Sequence, residues 1–242
     1  MSSEPLADTH SSPIEARRIL ARACAVIFDF DGVIADSEEF QLCIWREILT
    51  HRALPHSNLN INAIAGLADR EVIENVVPGL SACDYDQLVA LKNACCRERA
   101  HEIKPVPGSQ ELLEVLSKRK HLYVCSSSRE ADIRSFLSYR FPKVQFRGII
   151  ARGAYKRPKP APDPYLEAIR FAGLPRPLII AIEDSDVGVA SAIAAGINVI
   201  RLDRYGSNRV DRGIASLWEL VEPLRLRDPE AFPPTRAGGA DN

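Results

Sequence analysis

No apolar run in the 242 residues approaches the ~20 that a membrane-spanning helix requires. The N-terminal stretch MSSEPLADTHSSPIEARRIL carries no apolar core behind positive charge, so no secretory signal is expected. Charge of one sign is not in excess either: 31 basic residues stand against 32 acidic ones, a formal net charge of -1. That balance gives no broad electrostatic case for nucleic acid or a membrane surface as partner. The six cysteines form no CxxC pair and no Cys/His zinc spacing, which removes the common zinc sites. Cys24 and Cys125 lie in apolar runs and are expected as buried free thiols, and Cys95-Cys96 is read as helix rather than as a redox pair. No internal repeat is visible. These absences leave a cytoplasmic protein, soluble and without membrane segments, as the expectation.

What is present is concentrated in CAVIFDFDGVIADSEE, residues 24 to 39. The apolar run Ala25 to Phe28 reads as a buried strand. Asp29 and Asp31 follow it, separated by one residue and so on the same side of an extended backbone. Two like charges side by side in a buried place are costly unless a cation or a shared proton relieves them. Gly32 then marks a tight turn of the kind that serves a site.

The remainder sorts into three parts. Residues 1–20 read as a flexible tail, although Ile14 to Ala23 could form a short helix before the first strand. Residues 40–104 show helical patterns and almost no strand, with Pro78-Gly79 between INAIAGLADREVIENVV and YDQLVALKNACCRERAHEI. A helical insertion directly after a strand that carries chemistry reads as a cap over a site. Pro105-Val106-Pro107-Gly108 returns the chain to alternating segments: helix QELLEVLSKRK, strand HLYVCSSS, helix READIRSFLSYRF, strand RGIIARG, and a proline-rich loop feeding a helix with Asp163 as its cap. Strand PLIIAIEDSD, helix VGVASAIAAG and strand INVIRLD follow. This alternation predicts an α/β fold with a parallel sheet covered on both faces, formed by residues 21–39 and 105–222. The tail 223–242, rich in proline, glycine and charge, is expected to be disordered.

Parallel strands present their carboxyl ends at one edge, where ligands bind in such sheets. The successive ends carry Asp29 and Asp31, then Ser126, Ser127 and Ser128, then Lys159 on a loop, then Glu183 and Asp184. Singly, each has a bland reading: a surface DxD, a serine turn, a solvated lysine, acids at a helix start. Those readings do not explain why all four fall at the same end of successive strands. Carboxylates, hydroxyls with backbone amides and one lysine suit phosphoryl transfer assisted by a hard divalent cation.

DFDGVIADSE, VCSSS, KPAPDPY and IEDSDVGVASAIAAG, in that order across roughly residues 24 to 203, resemble the four signature motifs of the haloacid dehalogenase (HAD) superfamily of aspartate-nucleophile phosphatases and phosphomutases. The helical insertion resembles the alpha-helical cap of the branch that includes beta-phosphoglucomutase and sugar-phosphate phosphatases. The resemblance implies a Rossmann-like HAD core with a helical cap inserted after the first strand. It also implies Asp29 as nucleophile and Asp31 as the acid that protonates the leaving oxygen and later activates water. Mg2+ would be held by Asp29, Asp184 and the backbone carbonyl of Asp31, with Glu183 direct or through water. Ser126, with amides near Ser127 and Asp31-Gly32, would hold the phosphoryl oxygens, and Lys159 would offset the charge of Asp29 and phosphate.

Some residues depart from or extend the pattern. Relatives acting on hexose phosphates often carry histidine where Gln41 stands, which favours phosphatase over mutase. Trp45 reads as core, and Asp186 as a helix cap. Arg70, in the cap segment GLADR, is a candidate contact for a substrate anion. Lys156 rivals Lys159, but only Lys159 stands directly in KPAPD. The expectation is a magnesium-dependent phosphatase of a small phosphorylated metabolite such as a sugar phosphate, with no nucleic acid and no membrane as partner, acting as monomer or small homo-oligomer. A phosphomutase and a non-catalytic binding protein on the same scaffold are the alternatives.

Overall fold

The computed structural model describes residues 12–64, 69–206 and 213–227. Five strands form one parallel sheet in the order β3-β2-β1-β4-β5: β1 Ala25–Phe28, β2 His121–Cys125, β3 Phe146–Ile150, β4 Ile179–Glu183 and β5 Asn198–Arg201. The central strands are apolar throughout because helices cover both faces. Side chains alternate between those faces at period two. Val26 and Phe28 join Val124, Ile180 and Ile182 in one core cluster, while Ala25 and Ile27 join Tyr123, Cys125, Ile179 and Ala181 in the other.

The first face is covered by α1 (Pro13–Arg22), α6 (Ser109–Leu116), α7 (Glu130–Arg140) and α10 (Trp218–Arg227) through Leu20, Leu112, Ile133 and Leu220. The second is covered by α8 (Asp163–Ala172) and α9 (Asp186–Ala194) through Tyr165, Ala168 and Ala192. Two expected boundaries shift. Residues 13–22 are a helix with Ala16 and Leu20 buried, the short helix allowed by the sequence over Ile14 to Ala23 rather than a flexible tail to residue 20. At the other end α10 continues to Arg227, past the expected start of the tail at 223; residues 228–242 of that expectation lie outside the described residues. Cys125 is buried as expected, and burial pushes its thiol up to about 12. Cys24 is exposed instead, because it precedes β1 rather than lying within it.

Between β1 and β2 the chain forms α2 (Ser37–His51), α3 (Ile61–Ile64), α4 (Asp69–Val76) and α5 (Ala82–Glu98). These helices enclose an apolar cluster of their own, including Leu42, Trp45, Leu49, Ile73, Tyr85 and Leu88. Trp45 is therefore core, as expected. The chain leaves and re-enters the sheet domain at one place. The Asp36 amide donates to the Lys104 carbonyl at 2.8 Å, and Ala35 pairs with Pro105 as an antiparallel bridge.

Candidate active site

The sheet order reverses at β1, whose neighbours β2 and β4 follow it in the chain on opposite sides. Such a switch point opens a crevice beyond the strands' carboxyl ends. Register puts Phe28 level with Val124 and with Ile182, so the residues that follow each strand meet there. Asp29 follows β1, Ser126 follows β2, Glu183 ends β4, and the loop after β3 brings in Lys159. The sequence-predicted set is thus assembled in space.

Lys159 is its electrostatic centre. Its ammonium lies 2.7 Å from Asp29 Oδ1 and 2.5 Å from Glu183 Oε1, and donates to the Cys125 carbonyl at 3.1 Å. Burial works against the lysine's charge, but Asp29 and Glu183 outweigh it and hold the ammonium charged above its usual range. Tyr165, fully buried, donates to Glu183 Oε1 at 2.9 Å and places its ring 5.2 Å beneath the ammonium. The other Glu183 oxygen accepts from the Asp184 amide at 3.2 Å and from the Ser185 hydroxyl at 3.2 Å. Glu183 has no exposed surface and both its oxygens already have protein donors. Its position also explains Gly188, where a Cβ would come within 1.9 Å of the carboxylate.

The carboxylates outnumber the lysine. Oxygens of Asp29, Glu183 and Asp184 lie within 4.8 Å of one another. Burial pushes Asp29 up to about 8 against the opposing pull of Lys159, and burial with the neighbouring Asp29 and Glu183 charges raises Asp184 well above the carboxylate range. A hard cation relieves that excess of negative charge, and the donor set, all oxygen with no imidazole or thiolate, fits magnesium. Gly32 makes the close approach possible: with φ +76 it turns beneath Asp184, whose Oδ2 would stand 1.8 Å from an added Cβ.

Asp31 is treated differently. Its Oδ1 accepts from the Ser37 hydroxyl at 2.7 Å, and its Oδ2 from the Ser128 hydroxyl at 2.6 Å and the Ser126 hydroxyl at 3.3 Å. Its side chain is therefore tied to hydroxyls, apart from the cluster of Asp29, Glu183 and Asp184. The Gly32 amide, expected among the phosphate donors, donates to the Ala35 carbonyl at 2.8 Å. Ser127 is exposed, and its carbonyl accepts from Arg152 Nε at 2.8 Å.

In the helical insertion, Arg70 is held by neighbouring acids. Its guanidinium pairs with Glu74 and Asp86, each at 2.5 Å, and lies 4.7 Å over the Tyr85 ring, so it ties α4 to α5. Of GLADR only Asp69 and Arg70 are among the described residues. Gln41 accepts from the buried Lys92 at 2.6 Å, and Lys92 pairs with Asp69 at 2.6 Å. Lys156 makes no contact with the carboxylate cluster among those found for Lys159. Asp186 pairs with Arg201, and the capping of α9 is done by Ser185, which accepts from the Gly188 amide at 3.1 Å.

Sequence reasoning gave four contributors no role of their own. Tyr165 stood inside the quoted motif KPAPDPY and Ser37 inside DFDGVIADSE, and Ser128 was named only as one of three strand-end hydroxyls. Arg204, after β5, carries no pattern; it pairs with Asp36 at 2.7 Å, at the point where the insertion begins. Burial raises Glu38 nearby, with Arg204 opposing.

This sheet, its switch-point crevice and its four motif residues define a hydrolase of the HAD class. The chain belongs to the haloacid dehalogenase-like hydrolase family, whose profile matches residues 26–202. It is 26% identical over 190 residues to the fructose-1-phosphate phosphatase YqaB of Escherichia coli, covering 74% of this chain and 96% of that protein. To the beta-phosphoglucomutase of Bacillus subtilis it is 25% identical over 231 residues, covering 84% and 98%. A HAD-superfamily hydrolase of subfamily IA from Geobacter sulfurreducens superposes with a TM-score of 0.66 at 26% identity, covering 84% of this chain and 97% of that one. No helix among the described residues is long and apolar enough to cross a membrane.

Proposed function

We propose that this hydrolase is a magnesium-dependent phosphatase of a small phosphorylated metabolite, a sugar phosphate by class, working through an aspartyl-phosphate on Asp29. The observation that carries the reading is the Asp29–Lys159 pair, 2.7 Å apart at the open strand edge, with a second carboxylate two residues on in a separate hydrogen-bond environment. A nucleophile and an acid need such different surroundings. Asp29 would attack phosphorus as the ester bond breaks, and Asp31 would give its proton to the departing oxygen. In the second half Asp31 would take a proton from water as that water displaces Asp29. Lys159 would hold the Asp29 carboxylate in line, and Ser126 would turn its hydroxyl to the phosphoryl group.

Asp29, Asp184 and the Asp31 carbonyl are the groups that would hold magnesium; when bound it supplies positive charge against a dianionic ester. Glu183, whose oxygens already accept from Lys159, Tyr165, Asp184 and Ser185, would act by fixing Lys159. Residues 40–104 would act as the cap over a core of residues 21–39 and 105–222, excluding water during transfer. The name of the Escherichia coli relative supports the sugar-phosphate class. The Bacillus subtilis relative supports a mutase as the second reading. Gln41, held by Lys92, is an amide that cannot exchange a proton with a sugar, and this favours hydrolysis.

The test is phosphate release from a panel of sugar phosphates with magnesium, using wild type and Asp29→Asn. The variant should lose at least ~10³-fold in kcat. Undiminished turnover would remove Asp29 as nucleophile, and isomerisation of a hexose 1-phosphate with a bisphosphate activator would establish the mutase instead.

A further inference from the structure

Asp31 is held by both of its oxygens from two different parts of the molecule. Ser37, in the first turn of α2, takes Oδ1 at 2.7 Å; Ser128, in the loop between β2 and α7, takes Oδ2 at 2.6 Å. A carboxylate torsion is soft and roughly two-fold, so one donor leaves the group free to swing whereas donors on both oxygens fix its plane. Ser126 is a weaker third donor at 3.3 Å, and its oxygen also accepts from the Ser128 amide at 3.0 Å.

A serine in this place would ordinarily cap the following helix. Here it does not: the N-cap of α7 is Arg129, which makes no side-chain capping bond. The loop itself is fixed, since the Ser128 carbonyl accepts from the Arg152 amide at 3.0 Å. A hydroxyl has one hydrogen to give, and that of Ser128 is committed to Asp31.

We infer that Ser128 is a positioning residue that aims the Asp31 carboxyl at the leaving oxygen of the substrate. The inference rests on the proposed phosphoryl transfer with Asp31 as acid. In that step the P–O ester bond breaks, the Asp29 oxygen–phosphorus bond forms, and the Asp31 proton passes to the ester oxygen. The proton matters in proportion to how poor the leaving group is. A sugar alkoxide cannot leave without it, whereas p-nitrophenolate can.

The experiment compares kcat/KM of wild type, Ser128→Ala and Ser128→Thr on a sugar phosphate and on p-nitrophenyl phosphate, both with magnesium. kcat/KM reports the steps through enzyme phosphorylation, the half-reaction in which the leaving group departs. Ser128→Ala should lose about 10²-fold on the sugar phosphate, the scale of a misdirected general acid, and less than about 3-fold on the aryl ester. Ser128→Thr, which keeps the hydroxyl, should recover most of the loss. Equal losses on both esters would overturn the inference, because a structural defect or a lost phosphate contact does not distinguish leaving groups. If Ser128→Ala does not fold, Ser128→Cys, with a similar shape and a weak donor, should show the same split. A wild type that hydrolyses neither ester would count against the phosphatase reading itself.

Discussion

The molecule buries two lysines, one at the sheet edge and one in the helical insertion, and their company differs. Lys159, with 6% of its side chain exposed, lies between two carboxylates, Asp29 and Glu183, that are themselves almost or wholly buried. Lys92, 4% exposed, lies between one carboxylate, Asp69, and the neutral amide of Gln41. In the insertion the charges cancel and the arrangement is complete as it stands. At the sheet edge two carboxylates face one ammonium, with Asp184 adding a third, and an excess of negative charge remains for something to neutralise. A buried charge excess is costly wherever it has no use. The contrast separates an ion pair that holds a structure from one that belongs to chemistry.

The largest way to sharpen that contrast is to remove each lysine. Lys159→Met would leave Asp29 and Glu183 buried and unpaired, a destabilisation of about 3–5 kcal/mol, with turnover lost. Lys92→Met would cost less, about 1.5–3 kcal/mol, because Asp69 is 26% exposed and can turn to water. Denaturant unfolding of both variants decides, and equal costs would break the distinction.

The second test is metal removal against pH. In the folded protein Asp29 is pushed up to about 8 from an ordinary value of 3.8, burial being the main cause. Between those values the metal-free folded state holds a proton that the unfolded chain has released. Its stability contribution is therefore present below pH 3.8 and falls away as pH rises through 8. A magnesium ion held by Asp29, as proposed, would take the place of that proton, so its stabilising effect should grow along the same interval. Thermal midpoints with chelator and with magnesium, at pH 5 and pH 8, should differ more at pH 8. The same difference at both would contradict a metal bound by Asp29.

The smallest expected effect belongs to Arg70→Ala. The Arg70 ion pairs lie at the surface, where water screens them, so stability should hardly change, and KM for a sugar phosphate should stay within about two-fold. A large rise in KM would restore Arg70 as a substrate contact.

The same contrast explains what was legible in the sequence. Strands that are buried on both faces must be continuous apolar runs, so AVIF and IIAIE announced themselves, and parallel pairing then dictated that Asp29 and Glu183 meet. Lys159 followed from the same logic, since its neighbours in KPAPDPY mark a loop at a strand end. Tyr165 did not, because a tyrosine at helical spacing looks like core until its hydroxyl is found on Glu183. The three serines around Asp31 come from two segments some ninety residues apart, as the separation between Ser37 and Ser128 shows, and only the fold brings them together. Arg70 shows the opposite case: an arginine near a helix end has many partners within reach, and its pairing with the nearby acids Glu74 and Asp86 carries no sequence pattern.

The paired backbone at Ala35 and Pro105, with Arg204 gripping Asp36 beside it, has a consequence for redesign. Both ends of the helical insertion sit next to each other, and the insertion has its own apolar centre. The closure entropy of a connecting segment grows only slowly with its length. The stretch beyond its first turn should therefore accept helices of different number or size, provided that Ser37 keeps its hydroxyl on Asp31.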